Sequence, residues 1–220
     1  SRRAHTDIIA HSTPTFPTRT GAEFLEFLQA AAASGPGVEE PTPIQKFLGG
    51  SPSALRHVTS AKPAPVGWGT QEYFSVSAFK LISSSGKETF IRYHVVPEAG
   101  VQTLTDSEKS GKSADYLSEE LAERIKKGPV GFKLLAQVAA EGDVTDDATM
   151  LWPSDREVVE LGTVKVEKLV EGEESAEEQK KIIFDPIPRV EGVEASKDPL
   201  LEVRAGLYLL SGRERRAGTA

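Results

Sequence analysis

Cysteine is absent from the 220-residue chain. That excludes disulfide scaffolds, thiolate-bound zinc, iron–sulfur clusters, thiolate-ligated haem and thiol nucleophiles, and it leaves the compartment open. No apolar run approaches the roughly 20 residues that a membrane-spanning helix needs. Positive charge is in deficit, with 26 Lys and Arg against 33 Asp and Glu and a net charge of −7. The basic residues are scattered except near the C-terminus, which speaks against a nucleic-acid partner. Ser1 opens the chain without a charged-then-apolar leader, so no signal peptide is read. Phosphate-cradling glycine motifs are missing too. Gly111-Lys112-Ser113 lacks the glycine five residues earlier, where Asp106 stands. No Gly-x-Ser-x-Gly elbow occurs, which argues against a hydrolase triad.

What is present reads as a globular domain: 38% hydrophobic and 27% charged residues. His5–His11 is short, partly β-branched and stopped by Pro14, which predicts a strand. Gly21 opens a helix with Phe24, Leu25, Phe27 and Leu28 on its apolar side, ended by Gly35-Pro36-Gly37. Residues 35–70 hold several prolines and glycines and read as extended connection with one short helix around Ile44–Leu48. Tyr73–Ile82 and Thr89–Val96 form a predicted hairpin through Ser83–Lys87, with Gly86 supplying positive φ. Ser113 caps a helix with Leu117, Leu121 and Ile125, stopped at Gly128-Pro129. Phe132–Ala140, Thr163–Val170 and Lys181–Phe184 supply three further strands, and Glu171–Glu178 an acidic loop. Pro199 to about Arg216 reads as a final helix. Strands with interspersed helices define an α+β protein with an antiparallel sheet, possible as a closed barrel.

The chemistry concentrates in that last helix. Arg204 and Tyr208 are four residues apart and share one face. A guanidinium one turn from a phenol stabilises the ionised oxygen, a hard anionic ligand suited to ferric iron. On spacing alone, a core tyrosine beside a surface cation is the simpler reading. The four histidines, His5, His11, His57 and His94, lack metal-ligand spacing. His11 reads as a satisfied structural histidine, His57 as exposed in the connection, and the side taken by His94 is open. Arg213 and Arg216 read as a solvated helix end complementing the macrodipole.

The surroundings change the weighing. Phe184-Asp185-Pro186, Gly192-Val193, Ser196, Asp198 with Leu200-Leu201, Arg204-x-x-x-Tyr208 and Arg213-x-Arg215, in this order, resemble the proximal segment of haem catalases. Upstream, Leu151-Trp152-Pro153 followed by Val158–Gly162 looks like that family's Trp-Pro segment and the strand after it. Phe79-Lys80-Leu81 with Gly86 and Gly100 is similar to the family's barrel hairpin. Ser12-Thr13-Pro14-Thr15-Phe16-Pro17-Thr18-Arg19, with Phe24, resembles its Asn-Thr-Pro-x-Phe-Phe-x-Arg stretch. The pattern is most similar to the short catalase-related peroxidases.

The resemblance implies an α+β fold: a catalase-like antiparallel β-barrel with peripheral helices, one domain over residues 1–220, entered part-way through. It implies haem b with ferric iron, Tyr208 as axial ligand, Arg204 as its charge partner, Arg215 near a propionate and Phe24 on the distal side. The implied function is oxidation of a small organic donor by hydrogen peroxide, with weak catalase activity alongside. The alternative is a non-catalytic haem-binding barrel. Ser12 stands in the place of the family's distal Asn and would offer peroxide a hydroxyl. The family's distal His belongs to an Arg-x-x-His-Ala-x-Gly stretch. Arg2-Arg3-Ala4-His5 has its spacing and makes His5 the candidate, but Thr6-Asp7-Ile8 follows, and the simpler reading has His5 open the first strand. The oligomeric state is left open.

Overall fold

The computed structural model describes residues 4–170 and 172–218. Helix α1 spans Gly21–Ala32 and starts where the sequence puts it. A capping box holds its first turn: Glu23 N–H donates to Thr20 Oγ1 at 3.2 Å, and Thr20 N–H donates to Glu23 Oε2 at 3.0 Å. The short helix expected around Ile44–Leu48 is α2 (Pro43–Gly50), and the connection expected to be extended after it holds a second helix, α3 (Pro52–Thr59). Pro43 and Pro52 stand at the first helical positions, where a fixed φ and a missing N–H favour a start rather than a break.

The sheet is built around one long central strand. Strands β1 (Tyr73–Phe74) and β2 (Phe79–Ile82) both pair antiparallel with β3 (Glu88–Pro97). The expected Tyr73–Ile82 strand is therefore broken over Ser75–Ala78, where Tyr93 N–H donates to the Ser75 hydroxyl at 2.8 Å instead of to a backbone carbonyl. The β2–β3 turn is the predicted one. Gly86 takes φ +81°, and its N–H donates to Ser83 O at 2.9 Å.

After β3 come the short helix α4 (Asp106–Ser110) and α5 (Tyr116–Lys127), whose N-cap is Asp115 rather than Ser113. Strand β4 covers Val130–Val138 and β5 covers Val158–Val166. Glu171 lies outside the described residues; from Gly172 the expected acidic loop is helix α6 (Gly172–Lys181). Its outward Glu177–Lys180 and Glu178–Lys181 pairs, at 3.2 and 3.6 Å, replace the predicted strand start. A short β6 (Val193–Ala195) and the long α7 (Pro199–Ala217) complete the chain.

Among the described residues, the strands form one six-stranded sheet in the order β5-β4-β3-β2-β6, with β1 on β3. It ends in free edges and does not close into a barrel. His5–His11 is extended but meets the sheet only at His11, which exchanges backbone hydrogen bonds with Phe74 at 2.8 and 2.7 Å. With a single pairing, that segment is no strand. The core joins Phe79, Ile91, Tyr93 and Ala136 of the sheet to Leu201 of α7. Arg92 ties the loop before β5 to this layer. Its Nη1 and Nη2 donate to Met150 O at 2.5 Å and Asp147 O at 3.1 Å, and its guanidinium lies 4.5 Å from the Trp152 ring centre. Burial pulls the Arg92 pKa down to about 10, against the opposing charges of Asp198, Asp147 and Asp143.

Candidate functional site

Helix α7 is anchored by its first turn. Asp198 caps it, with Leu200 N–H donating to Asp198 Oδ1 at 2.9 Å, and Pro199 follows at the favoured position. Leu200 and Leu201 are buried, so the start of the helix is fixed in the core. Leu200, Arg204 and Tyr208 recur at four-residue steps and share a face. Arg204 Nε donates to Tyr208 Oη at 2.8 Å, and the guanidinium carbon lies 5.5 Å from the Tyr208 ring centre. The pair predicted from spacing is therefore in contact, with Tyr208 half-buried. Arg204 Nη2 is buried and has no hydrogen-bond partner.

An aromatic wall adjoins this helix. Phe16 packs with Val76, Ala148 and Leu200, one turn before Arg204. Its ring centre lies 4.7 Å from Phe24 and 6.0 Å from His11. Phe24 continues to Phe27 at 6.1 Å. The helices carrying Phe24 and Tyr208 approach closely, since a Cβ on Gly21 would stand 2.8 Å from Val203 Cγ1. Arg215 lies on the Tyr208 face and is exposed, with Nη1 donating to Ser211 Oγ at 2.8 Å and Nη2 to Ile182 O at 2.6 Å.

The other candidates fall elsewhere. Ser12 is exposed, and the residue turned inward is its neighbour His11. His5 sits by Asp185, 4.0 Å from its carboxylate, in a cleft shared with Asp7, Ile183 and Phe184, not beside the Arg204–Tyr208 pair. Arg2 and Arg3 of the Arg-x-x-His spacing lie outside the described residues. His57 is half-buried on α3 rather than exposed on a connection, 3.4 Å from Thr15 Oγ1. His94 stacks on Phe74 at 4.4 Å and pairs with Glu72 at 3.0 Å. His11 was expected to be satisfied, yet its Nε2 is buried without a hydrogen-bond partner. Burial, then the charges of Arg204 and His57, hold its pKa below the ordinary 6.5. Its position beside Ser12 left a reach toward a haem pocket open, because strand alternation alone does not say which way a terminal residue faces.

Fold and site together define an α+β protein in which a C-terminal helix presents an arginine-supported tyrosine beside an antiparallel sheet. The catalase family pattern matches residues 2–220, and the chain belongs to the catalase family. It is 33% identical over 215 residues to the catalase-related peroxidase of Mycolicibacterium paratuberculosis, covering 96% of this chain and 66% of that protein. Against the catalase-related peroxidase of Synechococcus elongatus it is 30% identical over 210 residues, covering 94% and 61%. Among solved structures it is similar to a fungal catalase, with a TM-score of 0.80 at 22% identity, over 96% of this chain and 45% of the other. A bacterial catalase gives 0.78 at 26% identity, over 96% and 43%. The chain thus spans less than two thirds of the length of these relatives. No helix among the described residues is long and apolar enough to cross a membrane.

Family membership implies haem, and the residues present fit it. A planar apolar ring with an iron centre needs an oxygen or nitrogen ligand, aromatic walls and cations for its carboxylates. Tyr208, the Phe16–Phe24 wall and Arg215 supply these types. The unpartnered buried nitrogens of Arg204 and His11 are polar atoms of the kind an incoming polar ligand satisfies.

Proposed function

We propose that residues 1–220 form a single haem-holding unit that uses hydrogen peroxide to oxidise a small organic donor, with weak catalase activity alongside. One observation carries this reading: Tyr208 Oη accepts from Arg204 Nε at 2.8 Å, on a helix whose first turn is fixed in the core. The names of the two catalase-related peroxidases support the same class of chemistry.

Haem b, with ferric iron, would supply redox chemistry toward peroxide when bound. The chain's own residues do the rest. Tyr208 would hold the iron through its phenolic oxygen, and Arg204 supports negative charge on that oxygen with a charge-assisted hydrogen bond. Because Leu200 and Leu201 fix the helix start, the oxygen is held in place before any ligand arrives. Phe24 and Phe16 give the ring an apolar wall that excludes water. Arg215 offers its charge to a propionate.

Titrating hemin into the purified chain tests the reading. One equivalent is expected to bind with a ferric tyrosinate-type visible spectrum. Tyr208→Phe keeps the ring and removes only the ligand oxygen, so the fold is expected to survive while hemin binding weakens and the spectrum changes. Equal affinity and an unchanged spectrum in Tyr208→Phe refute the assignment.

A further inference from the structure

We infer that a second copy of this chain pairs with the free edge of β5, strand against strand across a two-fold axis, so that the two copies share one continuous antiparallel sheet. The inference does not rest on the haem reading. β5 ends the strand order and pairs with β4 alone, which leaves its other edge open among the described residues. It is nine residues long, contains no proline, and keeps Val158, Val159, Leu161 and Val164 exposed. Natural edges are blunted by brevity, proline, charged side chains or a bulge. β5 carries two charges, Glu160 and Lys165, and one bulge, and together these are complementary to a second copy of themselves.

The bulge decides which face each charge takes. Gly162 stands opposite Leu134 and Glu160 opposite Leu135, so Leu161 is the extra residue. Residues five apart on a regular strand point to opposite faces, and one extra residue between them brings both to the same face. Val159, Val164 and Val166 stand opposite the buried Ala136, Phe132 and Val130, and so lie on the core side of the sheet. Glu160, Thr163 and Lys165 lie on the other side, where Lys133 of β4 donates to Glu160 at 3.0 Å. A two-fold axis between Gly162 and Thr163 sets Glu160 opposite Lys165 of the second copy, and symmetry repeats the pair. It also sets Val159 opposite Val166, and Leu161 opposite Val164. Opposite residues in an antiparallel pair share a face, so charge meets opposite charge and apolar meets apolar. Sliding the copies by two residues sets Glu160 against Thr163 or Glu167, and sliding by one exchanges the faces. The charges therefore select one register.

Sedimentation equilibrium of the purified chain, over a range of concentrations at low and high salt, tests this. One edge pairing makes a small interface, so a dimer of about micromolar affinity or weaker is expected, loosened by salt. Glu160→Lys and Lys165→Glu each set like charges opposite one another twice, and each is expected to weaken the dimer at least about 10-fold. Lys165 is exposed, so Lys165→Glu is expected to leave the fold of the single copy intact, as circular dichroism reads. Mixing the two variants sets opposite charges at both pairs again. A heterodimer is therefore expected from two chains that do not associate with themselves. A chain that stays monomeric at low salt and the highest concentration reached overturns the inference. A dimer that Lys165→Glu leaves unweakened also overturns it, since the contact then lies on another surface. So does a mixture of the two folded variants that stays as dissociated as its components.

Discussion

Gly21 of α1 and Val203 of α7 are packed so closely that a Cβ at Gly21 would stand 2.8 Å from Val203 Cγ1. The contact sets the distance between the helix bearing Phe24 and the helix bearing Arg204 and Tyr208. Helix propensity alone makes Ala the better residue at that first helical position, so any loss in Gly21→Ala isolates the contact. Overpacking of this kind costs about 1–3 kcal/mol. Gly21→Ala is expected to lower the Tm and weaken hemin uptake, and adding Val203→Ala is expected to restore most of both. Simply additive losses in the double variant would dispose of the coupling.

Arg92 is, among the described residues, the one arginine buried in the sheet layer, and its guanidinium satisfies the carbonyls of Met150 and Asp147 while lying over Trp152. Arg92→Ala removes both hydrogen bonds, and because Met150 is exposed and water can replace part of the lost bonding, the cost is about 1–3 kcal/mol in all. Arg92→Lys keeps the charge but cannot fork to two acceptors. Urea unfolding is expected to rank Arg92→Ala below Arg92→Lys, and both below the unsubstituted chain. Equal midpoints for all three would show that the fork contributes nothing.

How far the sequence could be read depended on whether each signal was local. The Arg204–Tyr208 contact follows from four-residue spacing on an isolated helix. The β2–β3 turn follows from Gly86, and the start of α1 from Thr20 and Glu23. Pro52 misled because proline both breaks helices and opens them, and only its position after Ser51 separates the two cases, whereas the helix at Pro43 was legible around Ile44–Leu48. The acidic run before Lys180 hid α6, since it has no apolar stripe and rests on Glu–Lys pairs. The inward turn of His11 was out of reach, because it is set by pairing with Phe74, some sixty residues on. Membership of the family was legible from the order of motifs between Phe184 and Arg215, which periodicity alone does not carry.

The choice between oxidising an organic donor and dismutating peroxide turns on access. Leu207 and Leu209, flanking Tyr208 in sequence, are 55% and 58% exposed. On the proposed haem reading, such exposed apolar side chains would favour the approach of an aromatic donor over confinement of a second peroxide. At equal peroxide, the hemin-loaded chain is expected to oxidise a phenolic dye faster than it releases oxygen. Leu207→Glu, which makes that approach polar and acidic, is expected to raise the KM for a neutral phenol more than the KM for peroxide. Rapid oxygen release with negligible dye oxidation would contradict the donor reading.

Two imidazoles give the hemin-free protein a pH dependence with a definite sign. His11 and His57 each have a pKa held below the ordinary 6.5, first by burial and then by neighbouring cations: Arg204 and His57 for His11, and Lys62 for His57. In the unfolded chain both return to the ordinary value, so as pH falls through 6.5 the unfolded state binds protons that the folded state does not. The stability tied to their neutral forms is complete above that value and is lost as pH drops toward the folded values. Asp143, paired with Arg156 Nε at 2.8 Å, has its pKa lowered from the ordinary 3.8 and acts in the same direction at lower pH. The Tm is expected to decline between about pH 7 and about pH 5, where histidines titrate. His11→Gln combined with His57→Gln is expected to flatten that decline while leaving the steeper loss at lower pH in place. A Tm profile with the same slope in the double variant would assign the decline to other groups.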